Sequence, residues 1–283
     1  MNVSQLAARL RPQLALMRCP LCGAPLSLPA QSMVCQNGHC FDVSRRGYVN
    51  LAPAHSQAAD KYGAGLFESR AMLFQDGFYT PVVDAICGML AARFGDAPFT
   101  LADAGCGEGY YARAIASRFP NATVIGLDLN RDAITLAART PSPVSWFVAD
   151  VKRLPLGDHV LDALLDVLTP ADYSEFGRAL KPDGAFIKVI PGADYLCEVR
   201  DAVAAYLKSG ESYSNAAVMK HLRAHAGIVQ EACVRVTRPL TPGQAQAFAR
   251  MTPMTFSVPR EALANISLSQ ITIHMHALCC RLL

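Results

Sequence analysis

The chain reads as an α/β protein built on a parallel, doubly wound sheet, with a small metal-organised piece at its N-terminus. Three observations predict this. From Thr80 onward, short apolar runs alternate with amphipathic stretches. The run Leu101, Ala102, Asp103 breaks into a tight turn with Gly105, Gly107 and Gly109. Cys19, Cys22, Cys35 and His39 stand at a spacing that can close a tetrahedral ion site.

Composition bounds the rest. A chain of 283 residues with 52% hydrophobic content can bury one full core and carry a satellite. Ten cysteines could mark a secreted disulfide scaffold. The chain is long for that, however, and the first 17 residues carry scattered arginines with no apolar signal core, so a reducing cytoplasm is expected. No apolar run approaches the roughly 18 residues needed to cross a bilayer, so no membrane role is expected. The net charge of +3 lies wholly in residues 1–60, where Arg9, Arg11, Arg18, Arg45 and Arg46 face only Asp42 and Asp60. A phosphate-contacting patch and a solvated face explain this equally well.

Taken in order, residues 1–16 form an N-terminal extension, a short amphipathic helix with Leu6, Leu10 and Leu14 at i+4 spacing. Residues 17–50, rich in Cys, Pro and Gly, are too few to bury much core and are organised by metal. Residues 51–69 form a linker, since 52–64 are Ala, Ser and Gly-rich without periodicity. The main domain spans 70–283. Thr80-Pro81 opens a helix whose Val82, Val83, Ile86, Met89, Leu90 and Phe94 share a face. A strand, the glycine turn and a helix occupy residues 99–118. Strands are expected at 123–129, 144–150, 161–168 and 185–191, the last entered through K-P-D-G, with helices at 132–139 and 172–180. Helices near 198–207 and 215–225 precede two late strands near 228–236 and 270–276. If these pair antiparallel at the sheet edge, the arrangement suits a methyltransferase-type sheet.

The turn has the pattern D-x-G-x-G-x-G, not the G-x-G-x-x-G of pyrophosphate binders. Asp103 at the strand end would repel a pyrophosphate. It suits a ligand with no phosphate, a positive sulfonium, an ammonium and a ribose diol, which describes S-adenosylmethionine. Asp128, ending the second strand, can accept both ribose hydroxyls, and Asp150, ending the third, can accept from the adenine amino group. Each acid alone could be a helix cap; three at consecutive strand ends make binding of this cofactor the better explanation.

The Cys-x2-Cys and Cys-x3-His pairs match structural zinc spacing, and C-P-L-C-G places a turn whose amides can aim at sulfur. Cys40, beside His39, competes as fourth ligand. No βαβ context supports a redox role for Cys19 and Cys22. The other cysteines, including the pair Cys279 and Cys280, read as small buried hydrophobes. His274 and His276 share one face of a late strand; with no third ligand apparent, this reads as an ordinary strand face.

These motifs together, C-P-L-C, C-Q-N-G-H-C-F-D, G-Y-V-N-L at 47–51, D-A-G-C-G-E-G-Y-Y and a late M-T-P at 251–253, resemble the bacterial 23S ribosomal RNA guanine-N1 methyltransferases. The segments D-V-L-T-P-A-D-Y-S-E-F and I-K-V-I-P are similar to the branch linked to tylosin and mycinamicin resistance. The resemblance runs from about Met17 to the C-terminus. It implies a class I, Rossmann-like S-adenosylmethionine-dependent methyltransferase domain and a zinc module that recognises 23S rRNA. By position it implies zinc on Cys19, Cys22, Cys35 and His39, and cofactor contacts from Tyr79, Gly107, Glu108 and Tyr195. Tyr195 stands where that family is expected to carry histidine.

The expected reaction is methyl transfer to N1 of a guanine in a 23S rRNA hairpin loop, with an effect on macrolide susceptibility. The cofactor site would comprise Tyr79, Asp103, Gly105, Gly107, Glu108, Gly109, Asp128, Asp150 and Tyr195. Asp166, late in the fourth strand, is the expected proton acceptor, and Tyr110, Tyr111 and Tyr173 are candidate platforms for the base. A homodimer is left open. Two other classes fit part of the pattern: a small-molecule methyltransferase leaves the metal module idle, and a zinc-dependent RNA-binding protein with a vestigial cofactor fold leaves the acids unexplained.

Overall fold

The structure, a computed structural model, describes residues 3–53, 64–207 and 214–283. Of the expected linker, residues 54–63 lie outside the described residues. The strands are β1 (Leu26–Ser27), β2 (Ser32–Cys35), β3 (Cys40–Asp42), β4 (Tyr48–Asn50), β5 (Thr100–Ala104), β6 (Thr123–Asp128), β7 (Ser145–Val148), β8 (Leu161–Val167), β9 (Leu180–Pro191), β10 (Ala226–Pro239) and β11 (Gln270–Leu282). The helices are α1 (Val3–Leu10), α2 (Ala64–Gln75), α3 (Thr80–Phe94), α4 (Tyr110–Arg118), α5 (Arg131–Arg139), α6 (Tyr173–Ala179), α7 (Cys197–Ala202), α8 (Ala216–Arg223), α9 (Pro242–Met251) and α10 (Arg260–Ala264).

Eight strands make one sheet in the order β10-β11-β9-β8-β5-β6-β7-β4. The six from β9 to β4 run parallel, and β11 joins antiparallel between β9 and β10. The late strands therefore close the sheet as expected, and run longer than their apolar periodicity suggested. K-P-D-G is not a turn before the fifth strand but an irregularity within β9, since Leu161 pairs with Leu180 and regular pairing resumes at Ala163 with Ala185. Each face carries its own core. One joins Val82, Ile86 and Leu90 of α3 to Ile115, Leu165 and Ile273. The other joins Leu6 and Leu10 of α1 to Ile125, Phe147 and Phe186.

The N-terminal piece is less separate than its composition implied. Its β1-β2-β3 sheet stands alone, but β4 pairs with β7 as an outer strand of the large sheet. Leu26, Leu28 and Met33 are buried in the same cluster as Ala102 and Leu127. Residues 48–50 thus belong structurally to the main sheet. Helix α2 begins inside the expected linker, because Leu66, Leu73 and Phe67 bury their side chains against the main body. Among the described residues no helix is long and apolar enough to cross a membrane.

Candidate active site and metal centre

The glycine turn joins β5 to α4 at the carboxyl edge of the sheet, where parallel α/β sheets place ligands. Gly105 takes φ +79, and a side chain there would collide with Thr169; Gly109 takes φ +78, and a side chain there would strike the Trp146 ring. Only glycine serves at either position. Between them the Gly107 N–H donates to Asp128 Oδ2 at 2.8 Å, tying the turn to the end of β6.

This turn floors a cavity of about 730 Å³. Every expected cofactor residue lines it except Gly109, which caps α4 just beneath: Tyr79, Asp103, Gly105, Gly107, Glu108, Asp128, Asp150 and Tyr195. Asp103 is buried, and its Oδ2 has no hydrogen-bond partner. Burial and the nearby Asp128 hold its carboxyl well above the ordinary range. Burial likewise raises Glu108 to about 7 and raises Asp128, although backbone N–H groups of Asn130 and Gly107 partly offset the latter. Asp128 accepts from Asn130 N through Oδ1 at 2.7 Å. Asp150 accepts from Lys152 N at 2.9 Å, so it caps a helical turn and lines the cavity at once. An orphaned, desolvated carboxyl oxygen among further acids fits a cationic ligand carrying a diol, and S-adenosylmethionine meets that description. Tyr79 and Tyr195, expected separately, meet hydroxyl to hydroxyl at 2.8 Å.

Asp166 is not on this wall. It is buried in β8, with Oδ2 2.8 Å from Lys188 Nζ, and burial raises its pKa to about 6. The same ammonium donates to Thr169 O at 3.0 Å. The strand alternation that put Asp166 at the end of β8 aims it inward, so the pair anchors the loop after β8 rather than reaching a substrate. Of the aromatic candidates Tyr111 lines the cavity. Tyr110 stacks on Phe74 with centroids 4.3 Å apart, and Tyr173 stacks on His225 at 5.0 Å, away from the cavity.

Three stretches of wall went unread in the sequence. Helix α2 supplies Phe67, Arg70 and Phe74, one face at i, i+3 and i+7, and that spacing was the available signal. The loop after β8, whose L-T-P-A-D was noted only within a segment that carries the resemblance, supplies Leu168 to Asp172, with Leu168 left-handed at φ +57 and 44% exposed. A non-glycine residue held there costs about 1–3 kcal/mol, a strain that clusters at ligand sites. The third stretch runs from Met251 to Met254 at the end of α9, and contains the M-T-P noted for its resemblance alone.

In the N-terminal piece Cys19, Cys22, Cys35 and His39 converge. His39 Nδ1 lies 3.5 Å from Cys19 Sγ and 3.4 Å from Cys35 Sγ, and Cys22 Sγ lies 3.8 Å from Cys35 Sγ. Zinc with Zn–S of about 2.3 Å and Zn–N of about 2.0–2.1 Å in a tetrahedron calls for roughly 3.6 and 3.8 Å. Two turns shape the site: Gly23 N donates to Cys19 O at 2.8 Å and Gly38 N to Cys35 O at 3.0 Å. The Ala24 amide and the Asn37 side chain pull the Cys22 thiol down to about 6, toward the thiolate a metal needs. The donor set fits zinc. Cys40 is exposed and outside the cluster, so His39 is the residue placed to be the fourth donor.

Comparison with known proteins agrees. The family described as "RlmA, N-terminal", a zinc ribbon, matches residues 17–59, and a "Methyltransferase domain" family matches residues 101–184. YxjB of Bacillus subtilis (strain 168), named for the 23S rRNA (guanine-N(1)-)-methyltransferases, is 35% identical over 258 residues, 88% of this chain and 90% of its own. The 23S rRNA (guanine(748)-N(1))-methyltransferase of Streptomyces fradiae is 36% identical over 190 residues, 66% of this chain and 67% of its own. A relative from Micromonospora griseorubida, named for the same guanine-N(1) activity, is 34% identical over 203 residues, 65% of this chain and 68% of its own. With the zinc ribbon, the cofactor cavity and this likeness over most of its length, the chain belongs to the 23S rRNA (guanine-N(1)-)-methyltransferase family.

Proposed function

We propose that this protein transfers the methyl group of S-adenosylmethionine to N1 of a guanine in a hairpin loop of 23S rRNA, with the zinc module gripping the RNA. The observation that carries this reading is the joining of two sites in one body: an acid-rich cavity shaped for a cationic nucleoside, and a zinc ribbon that shares its core with the sheet above that cavity. When bound, S-adenosylmethionine supplies an electrophilic methyl on a sulfonium.

The residues divide the work by strand. Asp128 holds the ribose diol and Asp150 the adenine amino group. Asp103 and Glu108 face the cationic end, Arg70 the carboxylate, and Tyr79 with Tyr195 closes that wall. Residues at the ends of β6 and β7 would hold ribose and base, and those at the ends of β5 and β8 would face the reactive end of the cofactor. The guanine then enters between the loop after β8 and Met251–Met254, against the apolar Leu168. Guanine N1 carries a proton at neutral pH, and a base must take it as the new bond forms. Asp172 lines the cavity on that side and keeps an oxygen for this task while Oδ1 caps α6 from Glu175 N at 3.0 Å. Asp172 therefore replaces Asp166 as the acceptor, and Asp166 with Lys188 positions the loop. Most of the acceleration comes from holding the reactants in line, which can contribute about 7–11 kcal/mol.

A cytoplasmic location and an effect on tylosin-type macrolide susceptibility complete the reading, with a homodimer left open; drug-susceptibility assays of strains with and without the gene read the effect, and sedimentation of the purified protein reads the oligomeric state. The reaction is tested by incubating the protein with methyl-labelled S-adenosylmethionine and either 23S rRNA or a metabolite extract. Label should appear as 1-methylguanosine in digested rRNA. Label confined to the extract would favour a small-molecule methyltransferase instead.

A further inference from the structure

A second group of soft ligands lies on the antiparallel pair β10 and β11. Cys233 on β10 pairs directly with His276 on β11, and His274 follows on the same face two residues away. The two histidines read as an ordinary strand face while no third ligand was in sight; the pairing of β10 with β11 brings one across. The donor atoms of the three residues lie within 4.8 Å of one another. Cys233 Sγ is 3.6 Å from His274 Nε2, close to the roughly 3.6 Å between sulfur and nitrogen on one tetrahedral zinc ion.

The surroundings orient these donors. His276 Nδ1 meets Glu231 Oε1 at 3.1 Å, which places the ring proton on Nδ1 and leaves the Nε2 lone pair for a metal. A carboxylate behind a histidine is the usual second contact of a metal-bound imidazole. Behind His274 stands Asp194, whose Oδ2 lies 3.7 Å from Nδ1 and is held by Arg235 Nε at 2.8 Å. No residue of this group lines the cofactor cavity or belongs to the N-terminal zinc site.

We propose that Cys233, His274 and His276 form a second metal site that takes zinc or a similar soft divalent ion through one sulfur and two Nε2 atoms, with water completing the tetrahedron. Binding balances as follows. The Cys233 thiol loses its proton to solvent, and the ion accepts the sulfur lone pair. The His274 ring proton moves to Nδ1, where Asp194 Oδ2 accepts it in place of the Asp194 N–H that meets that nitrogen at 3.2 Å. The ion would clip the edge strand to its neighbour and fix Asp194, next to Tyr195 on the cavity wall.

The test is metal stoichiometry of the untagged full-length protein after dialysis against zinc, followed by cobalt titration. The wild type should hold about two equivalents, and Cys233→Ser and His276→Ala about one each, with cofactor affinity unchanged as the check on folding. Cys22→Ser should also drop to about one, by emptying the other site. The thiolate-to-cobalt absorption band should gain a further increment with the second equivalent, and that increment should be missing in Cys233→Ser while the band of the three-cysteine site remains. Glu231→Ala should retain the site but weaken it by about 10-fold. A wild type that saturates at one equivalent, or a second equivalent that survives both Cys233→Ser and His276→Ala, would overturn the proposal.

Discussion

The N-terminal ribbon and the cofactor sheet touch along one core, yet different forces hold them. The ribbon's strands β1, β2 and β3 are two to four residues long, and four ligands placed to share one zinc ion converge between them. The sheet has eight strands with a buried core on each face. The difference teaches where each half is vulnerable: one to loss of an ion, the other to loss of packing or of a carboxylate.

The largest break should come from the ribbon. Zinc binding in such small modules supplies about 10–16 kcal/mol of folding free energy. Cys35→Ser, or chelation, should disorder the segment around residues 17–43 and abolish RNA methylation, while the parallel strands and their turn keep the cofactor affinity within about 3-fold. Calorimetry with S-adenosylmethionine on the variant checks this. Because Leu26 and Met33 share a core with Ile125 and Phe147, some loss of thermal stability in the sheet should accompany it.

Within the sheet, Asp172→Asn keeps an N-cap but removes a base, so turnover should fall by about 10²–10⁴ with cofactor affinity unchanged. Asp166→Asn should instead disturb the loop after β8, and its effect should be lessened by Asp166→Glu. Equal turnover for wild type and Asp172→Asn under single-turnover conditions would remove Asp172 from the chemistry.

Asp128→Ala should weaken S-adenosylmethionine by about 1.5–3 kcal/mol, roughly 10- to 150-fold, measured by calorimetry on the folded variant.

Glu108 gives the pH signature. Burial holds its carboxyl up at about 7, above the ordinary 4.5. Its contribution to the stability of the ligand-free protein is therefore present at low pH and lost as pH rises toward 7. Cofactor binding has the opposite sign, since a cationic ligand favours the carboxylate. Affinity should climb by up to about tenfold per pH unit below 7 and level off above, and Glu108→Gln should flatten the profile.

The smallest effect concerns charge on the ribbon side. Arg45 and Arg46 are exposed and line a second cleft of about 180 Å³ beside Ser142 and Trp146. Arg9 is already engaged there with Ser142 O at 2.8 Å. Replacing Arg45 and Arg46 with alanine should weaken RNA binding at every sequence and flatten the logarithmic salt slope by about 0.7 per lost contact to single-stranded RNA. An unchanged slope on an rRNA hairpin would mark them as a solvated pair.

How much was legible follows the same division. Motifs fixed by local chemistry could be read: four ligands at zinc spacing, glycines at the spacing of a tight turn, and acids at successive strand ends. The substrate-facing wall could not, because α2, the loop after β8 and the end of α9 are brought together only by the fold. Asp166 misled because strand alternation decides whether a terminal acid points to the ligand or to a partner such as Lys188, and that partner lies 22 residues away. Cys233 was missed for the same reason, being 41 residues from His274.

Reverse transcription across 23S rRNA, after treatment with wild-type protein or with Cys35→Ser, tests the central claim most directly, because a methyl on N1 blocks the pairing edge of guanine. One new S-adenosylmethionine-dependent stop, adjacent to a loop guanine, should appear with the wild type and be absent with Cys35→Ser, although that variant still binds the cofactor. A stop of equal strength from the zinc-free variant, or none from the wild type on rRNA of a strain lacking the gene, would contradict it.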